Sequence, residues 1–219
     1  MRQSVVSCRY FPLIGIVKDG IISDTVVVAR ERMNKNPSMV IMINDKNLPA
    51  IDGLFIGGGF PETHMVKLEQ NLQMRQQVKT AIENGLPCYA ECGGLMYLAE
   101  QIRWNDEQHD MVGVIPGTIT MHAKPQGRGY IRITQTDKAP WSMNVGRNEI
   151  CAHEFHYSSL TGLPADLDYA FNVTRGAGID GQHDGIVYKN LLACYAHLRN
   201  TEQSPWVKNF VNFVRQQAQ

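Results

Sequence analysis

A cysteine followed by two glycines is the pattern in this sequence that could most directly do chemistry. Cys92 comes after a predicted strand at 87–90, and Gly93 and Gly94 lead from it into an apolar stretch typical of a helix. A thiol on a sharp strand-to-helix turn projects above the sheet, and the helix N-terminus behind it favours the thiolate. The pattern predicts a cysteine nucleophile elbow. A buried structural cysteine beside two glycines is the alternative.

A second glycine cluster, at 57–59, directly follows the apolar run 54–56. Successive glycines can turn backbone N–H groups towards an anion or an oxyanion. Together with the elbow, Gly59 and Gly93 could each donate one N–H group to a tetrahedral intermediate. A phosphate-binding loop is disfavoured because the pattern GxxxxGK[ST] does not occur in the sequence. A plain tight turn is the simpler alternative for this cluster.

Three histidines complete the set of candidate functional residues. His197 ends the apolar run 191–196 and could serve Cys92 as general base, although a lone histidine is more often a surface or packing residue. His153 and His156 lie close to Cys151, which suggests zinc. Their spacing differs from HExxH, and on a strand they point to opposite faces, so no metal site is predicted. Substrate contact or a packed polar strand is the expectation there.

The elements that would position these residues predict an α/β fold. Early strands alternate with helices and more strands follow, which indicates an open sheet with an added β portion. Runs 39–43 and 54–56 have lengths typical of central parallel strands. Other strands are expected at 13–17, 87–90, 112–115, 130–133, 150–155 and 191–196. Helices are expected at 24–34, where β-branched valines weaken the pattern, at 71–84, after residue 94 and from 204.

Two helices have clear apolar faces. In the first, Leu72, Val78 and Ile82 are expected to share a face, and Gly85 stands where a C-terminal glycine belongs. In the helix that starts at 204, Trp206, Phe210 and Phe213 are expected to share an apolar face.

Composition excludes several classes of protein. The 219 residues include 21 basic and 21 acidic ones, so the formal net charge is zero, which argues against a nucleic-acid partner. Hydrophobic residues make up 43%, which excludes a disordered chain, and no apolar run is long enough for a membrane span. The five cysteines form no CxxC pair and indicate free thiols in a reducing, cytoplasmic protein. One domain over 1–219 is expected.

Ordered motifs along the chain resemble the glutaminase domain of the cobyrinic acid a,c-diamide synthases. The resemblance covers about residues 38–200, and residues 1–37 match weakly, with 18–23 in place of an aromatic-rich stretch. The motifs are Gly53-Leu54-Phe55-Ile56-Gly57-Gly58-Gly59-Phe60-Pro61-Glu62, Tyr89-Ala90-Glu91-Cys92-Gly93-Gly94-Leu95-Met96-Tyr97-Leu98, Met111-Val112-Gly113-Val114-Ile115-Pro116-Gly117, Gly129-Tyr130, His153-Glu154-Phe155-His156-Tyr157-Ser158 and Tyr195-Ala196-His197-Leu198.

The resemblance implies a class I glutamine amidotransferase fold, with a flavodoxin-like, mostly parallel sheet and helices on both faces. It implies that L-glutamine is hydrolysed through a glutamyl thioester on Cys92, with His197 as the base. Gly59 and Gly93 would form the oxyanion hole. The ammonia would pass to an ATP-dependent synthetase domain that amidates tetrapyrrole carboxylates. The residues implied in substrate binding are Gly58, Glu91, His153, Glu154 and His156.

Two departures from the family pattern qualify this interpretation. The synthetase half, with its phosphate loop, has no counterpart in the chain, so no cofactor is expected here, while ATP and Mg²⁺ would bind to a separate synthetase domain or subunit. Arg199 stands where many class I glutaminases have the glutamate that orients the histidine. A Cys–His dyad is therefore expected, with the third role unfilled or taken by another group, and Arg199 as a solvated side chain.

Two other functions remain open at this point. One is a stand-alone cysteine hydrolase on the same scaffold, and the other is a non-catalytic regulatory subunit. A homodimer is a further candidate assembly.

Overall fold

The computed structural model describes residues 25–29, 38–41, 43–143 and 149–218, and the strand expected at 13–17 lies outside them. Two sheets form in these residues. The larger sheet contains β1 Thr25–Ala29, β2 Ser38–Ile41, β3 Gly53–Ile56, β4 Cys88–Glu91, β8 Gly127–Gln135, β9 Glu149–His156, β11 Asp168–Arg175, β12 His183–Tyr188 and β13 Leu191–Cys194. The smaller sheet contains β5 Ala99–Trp104, β6 Glu107–Asp110, β7 Ile115–Met121 and β10 Ser158–Thr161.

The larger sheet has a parallel centre and antiparallel flanks. Its strand order is β2-β1-β3-β4-β13-β12-β11-β8-β9, and β4 pairs in parallel with both β3 and β13. These three strands are buried along their whole length, as expected for parallel strands covered on both faces. The remaining pairs are antiparallel. The expected mostly parallel arrangement therefore holds at the centre, and the described sheet as a whole is mixed.

Two expectations near the start of the sheet are wrong. Residues 25–29 form β1 instead of the helix expected at 24–34, because the β-branched run 26–28 favours extended backbone. The apolar run at 39–43 gives β2, which pairs antiparallel with β1 and is not a central parallel strand. The eight residues between β1 and β2 are too few for the crossover that parallel pairing needs.

The smaller sheet holds the β portion that follows the elbow helix. Its order is β10-β7-β5-β6, with β5 and β7 parallel and the other pairs antiparallel. A strand was expected at 112–115, yet β7 begins at Ile115. Gly113 has a φ of 72°, outside the range of a strand, so the chain turns before β7 starts.

Helices cover both faces of the larger sheet, as predicted. A 3₁₀ turn, Pro61–His64, leads into α1 Met65–Gln70 and α2 Leu72–Glu83, and α3 Gly93–Leu98 follows β4. These pack on the face that carries Leu54 and Ala90. On the other face, α4 Trp206–Gln217 packs against Phe55 and Tyr89, with 4.9 Å between the ring centroids of Tyr89 and Trp206. Among the described residues, no helix has the length and apolar character to cross a membrane.

The apolar face of α2 differs from the expected one by one residue. Met74, Val78 and Ile82 are buried, whereas 51% of Leu72 is exposed. Six residues rotate a helix by about 240°, so Leu72 and Val78 cannot share a face, while a spacing of four keeps the buried residues aligned. The expected face of α4 is confirmed, because Trp206, Phe210 and Phe213 are buried.

A buried carboxylate ties β12 to the segment that follows β13. Asp184 is fully buried and accepts hydrogen bonds from the backbone N–H groups of Gly185, Tyr195 and Ala196 at 2.9, 3.0 and 2.9 Å. Burial raises the pKa of Asp184 to about 6, although these hydrogen bonds lower it. Asp184 therefore fixes the backbone immediately before His197.

We expect the substitutions Met74→Ala and Leu72→Ala on α2 to differ sharply in their effect on stability. Removing the buried Met74 side chain should lower the free energy of unfolding by about 2–5 kcal/mol, because it leaves a cavity. Truncating the exposed Leu72 should change it by less than about 0.5 kcal/mol. Urea unfolding of both variants measures the difference, and similar losses would contradict the face assigned to α2.

Asp184→Asn should alter how stability depends on pH. The folded pKa of about 6 lies above the ordinary value of 3.8, so this carboxyl group stabilises the fold fully below about pH 4 and less as the pH rises through 6. The difference in free energy of unfolding between wild type and Asp184→Asn should therefore fall by up to about 3 kcal/mol over this range. Unfolding at several pH values tests this. A constant difference for Asp184→Asn would contradict the burial argument.

Candidate active site

Cys92 occupies a strained backbone turn between β4 and α3. Its φ of 48° and ψ of −105° lie outside the regions that side-chain-bearing residues normally adopt. Hydrogen bonds hold the turn on both sides: the Cys92 N–H group donates to the carbonyl oxygen of Cys194 at 2.7 Å, and the Cys92 carbonyl accepts from the N–H group of Met96 at 3.0 Å. This is the geometry of a nucleophile elbow, as the sequence pattern predicts.

Close backbone contacts explain why glycines surround the elbow. A Cβ atom at Gly93 would lie 2.6 Å from the nitrogen and 2.5 Å from the oxygen of Gly59. A Cβ atom at Gly94 would lie 2.4 Å from the carbonyl oxygen of Ile56. The loop after β3 and the start of α3 therefore touch backbone to backbone, which brings together Gly59 and Gly93, the two residues expected to form the oxyanion hole.

His197 lies beside Cys92, where the base is expected. Its backbone forms an isolated antiparallel bridge with His153, with N–H to oxygen distances of 2.7 and 3.2 Å. Burial lowers the pKa of His197, but hydrogen bonds with Cys92 and Glu91 outweigh it and raise the pKa to about 10. These hydrogen bonds therefore favour the protonated form of the imidazole. A charged imidazole next to a cysteine is the arrangement found in cysteine hydrolases.

Gly58 leaves the space that the His197 ring occupies. A Cβ atom at Gly58 would lie 2.7 Å from Cε1 of His197, closer than real Cβ contacts. Gly58 therefore lies at the site, in contact with the histidine, and any side chain there must displace the ring.

The Glu91 side chain turns inwards behind His197. Its Oε1 accepts hydrogen bonds from the hydroxyl of Tyr89 at 2.6 Å and from the N–H group of Leu198 at 3.0 Å. Its Oε2 lies 3.5 Å from Nδ1 of His197. Because both oxygens face groups of the protein and the residue is buried, the geometry gives no support to the expected contact between Glu91 and substrate.

The end of β9 forms one wall of the site. The carbonyl oxygen of Phe155 accepts a hydrogen bond from the Cys92 thiol at 3.8 Å. His153 is exposed on this strand, with its ring centroid 6.4 Å from that of His197. Exposed aromatic side chains lie along this wall. Tyr130 packs edge-on against His153, and Tyr157 packs edge-on against Phe155. His153 is thus placed where it could meet a ligand.

Glu154 and His156 lie on the opposite, buried face of β9. Glu154 accepts hydrogen bonds from the N–H groups of Ala177 and Gly178 at 2.9 and 3.0 Å. The His156 ring stacks on Tyr195, with 3.8 Å between the centroids. The alternation along the strand separates these two residues from His153, as expected, and their expected contact with substrate has no support in this geometry.

Three further observations bear on the sequence expectations. Arg199 is exposed, as expected of a solvated side chain. Within the described ranges, no group of three His, Cys, Asp or Glu side chains could hold a metal ion. Sequence reasoning missed the roles of Asp184 and Tyr89, because their partners lie on other strands and no motif marks them.

Comparison with known proteins agrees with the fold and the motifs. A family model described as the CobB/CobQ-like glutamine amidotransferase domain matches residues 30–204. A solved structure of a glutamine amidotransferase superposes with a TM-score of 0.53 at 16% identity, over 75% of this chain and 80% of the other. This similarity confirms the predicted class I glutamine amidotransferase fold.

Proteins related in sequence support the same family assignment. The cobyrinate a,c-diamide synthase of Magnetococcus marinus is 44% identical over 177 residues, which cover 81% of this chain and 38% of that protein. The enzyme of the same name from Archaeoglobus fulgidus is 38% identical over 200 residues, which cover 90% and 43%. The chain therefore spans about two fifths of the length of these relatives. Taken with the glycine-lined Cys92 turn and its neighbouring histidine, these matches show that the chain belongs to the CobB/CobQ-like glutamine amidotransferase domain family.

Proposed function

We propose that this chain hydrolyses L-glutamine through Cys92 and His197, and that the ammonia serves an ATP-dependent amidation of tetrapyrrole carboxylates. One observation carries the catalytic part of the proposal: Cys92 lies on a strained turn and shares a hydrogen bond with the half-buried imidazole of His197. The acceptor part rests on the relatives, which are named cobyrinate a,c-diamide synthases.

The first chemical step forms a covalent bond to the substrate. The Cys92 sulfur, as thiolate, attacks the side-chain carbonyl carbon of glutamine, and the carbonyl π electrons move to the oxygen. The N–H groups of Gly59 and Gly93 would stabilise this oxyanion, since their backbones meet at the elbow.

The second step releases ammonia and regenerates the enzyme. The oxyanion re-forms the carbonyl, the carbon–nitrogen bond breaks, and protonated His197 gives its proton to the departing nitrogen. The product is a glutamyl thioester on Cys92. Neutral His197 then takes a proton from water, the hydroxide attacks the thioester, and the carbon–sulfur bond breaks to release glutamate and the thiolate.

The use of ammonia requires a partner. Activating a carboxylate for amidation needs ATP and Mg²⁺, which we assign to a separate synthetase domain or subunit that this chain would supply with ammonia. A thiol nucleophile must also remain reduced. The free cysteines at 88, 92, 151 and 194 fit a reducing compartment such as the cytoplasm.

The glutamine-like electrophile 6-diazo-5-oxo-norleucine should label wild-type protein once, on Cys92, because it binds where glutamine binds and alkylates the nucleophile. Intact-protein mass spectrometry measures the adduct. Cys92→Ala should give none, whereas Cys151→Ser, which removes an exposed cysteine, should label like wild type. Labelling of Cys92→Ala, or glutamine turnover that survives in Cys92→Ser, would refute Cys92 as the nucleophile.

Gly58→Ala should lower glutaminase activity while the protein stays folded. The new methyl group would overlap the His197 ring and displace it, and a displacement of about 1 Å in a catalytic group costs on the order of 100-fold in rate. Steady-state kinetics, with thermal unfolding as the check on folding, measures this effect.

Gly53→Ala is the matched control for this prediction. Its Cβ atom would overlap Val214 in the core, away from the site, so it should lower stability and leave the activity per folded molecule unchanged. Full activity in Gly58→Ala would contradict the placement of His197 as the base.

A further inference from the structure

The third member of the site is left open by the sequence. Arg199, two residues after the histidine, is exposed and positively charged. An arginine cannot accept a hydrogen bond from an imidazole. Whatever orients His197 must therefore come from elsewhere in the fold, and the carboxylate of Glu91 faces its Nδ1 atom at 3.5 Å.

We propose that Glu91 is the positioning residue of His197, and that its carboxylate accepts the Nδ1–H group so that Nε2 faces the thiol of Cys92. The proposal deepens the proposed function and rests on it, because it assigns the group that holds the base of that reaction. Glu91 does not touch the reacting atoms, and it acts only through the histidine.

The carboxylate is itself held firmly. Tyr89 and Glu91 lie two residues apart on β4 and so share a face of the sheet, which allows the Tyr89 hydroxyl to donate to Oε1 at 2.6 Å. The N–H group of Leu198 donates to the same oxygen at 3.0 Å. Glu91 therefore binds the backbone immediately after His197 with one oxygen and faces the ring with the other.

This arrangement differs from a purely structural clamp. To hold the backbone alone, Glu91 would need only the hydrogen bond from the N–H group of Leu198. Asp184 holds its neighbouring backbone in this way, through three backbone N–H groups. Oε2 of Glu91 instead faces the ring nitrogen of His197. A buried carboxylate next to an imidazole stabilises its protonated form, which is the form that gives a proton to the departing ammonia.

In the described part of the chain, the groups around the His197 ring come from three segments. Cys92 lies on the elbow side, His153 on β9 and Glu91 on β4. Behind Glu91 lie the buried Tyr89 hydroxyl and the buried thiol of Cys194, 3.7 Å apart. Burial raises the pKa of both of these groups well above the ordinary values, so they remain uncharged. Glu91 is then the carboxylate of β4 that faces the imidazole.

The test compares Glu91→Gln with Glu69→Gln. The second variant removes a carboxylate that also pairs with a histidine, at 2.8 Å from Nδ1 of His109, outside the site. Protein labelled with ¹⁵N-histidine is titrated by NMR. In Glu91→Gln, the titration midpoint of His197 should fall by about 1–3 pH units. In Glu69→Gln, it should stay at the wild-type value.

Kinetics supply the second readout. Glu91→Gln should lower kcat for glutamine hydrolysis by about 100-fold or more, with little change in KM, because the base is misoriented while the pocket remains. Glu91→Asp, which keeps the charge, should recover part of this loss. A wild-type titration midpoint for His197 in folded Glu91→Gln, or an unchanged kcat, would overturn the proposal.

Wild-type protein provides a test that needs no variant. Above its titration midpoint, His197 should keep its proton on Nδ1, which the ¹⁵N shifts of the ring report. A proton on Nε2 instead would contradict the proposal even if Glu91→Gln does not fold. The NMR readouts do not depend on turnover. If wild type shows the predicted tautomer and hydrolyses no glutamine, the proposed function fails and the positioning role stands.

Discussion

The strained turn at Cys92 is the constraint on which the rest of the site depends. A residue with a side chain at a φ of 48° costs on the order of 1–3 kcal/mol, so the surrounding structure must over-determine it. Backbone hydrogen bonds on both sides of Cys92 do this, and so does the contact of Gly93 with Gly59, which no larger residue would permit. The buried parallel strands anchor these contacts, so the strain is held by the core of the sheet.

The topology of the sheet explains why Cys92 and His197 meet. β4 ends at Glu91 and β13 ends at Cys194, and the two strands pair in parallel with Cys194 opposite Glu91. The segments that leave neighbouring parallel strands start from the same edge of the sheet, which is where open α/β sheets place their ligand sites. Cys92 and His197 each follow such an end within three residues. The bridge from His153 to His197 then adds β9 as a wall.

Features set by neighbouring residues in the chain could be predicted from the sequence, and features set across the fold could not. The elbow at Cys92 and the helices α2 and α4 follow from local residue types and periodicity, and the structure bears them out except at Leu72, which is exposed on α2. The direction of the Glu91 carboxylate could not be predicted, because its partners Tyr89, His197 and Leu198 meet only once β4 and β13 are paired. The helix expected over β1 is wrong for a local reason, since the β-branched residues at 26–28 favour extended backbone.

The two carboxylates near His197 show how burial can serve different purposes at one site. Burial raises the pKa of Asp184 to about 6, which means that its ionised form is disfavoured. Its carboxylate accepts hydrogen bonds from backbone N–H groups and fixes the chain before His197. Glu91 has fewer backbone donors and faces a group that can carry a positive charge, which offsets its burial. Neutralising Asp184 leaves the imidazole with its counter-charge, whereas neutralising Glu91 removes it. The carboxylate that fixes the backbone before His197 therefore lies on β12, and the carboxylate that faces the His197 ring lies on β4, directly before Cys92.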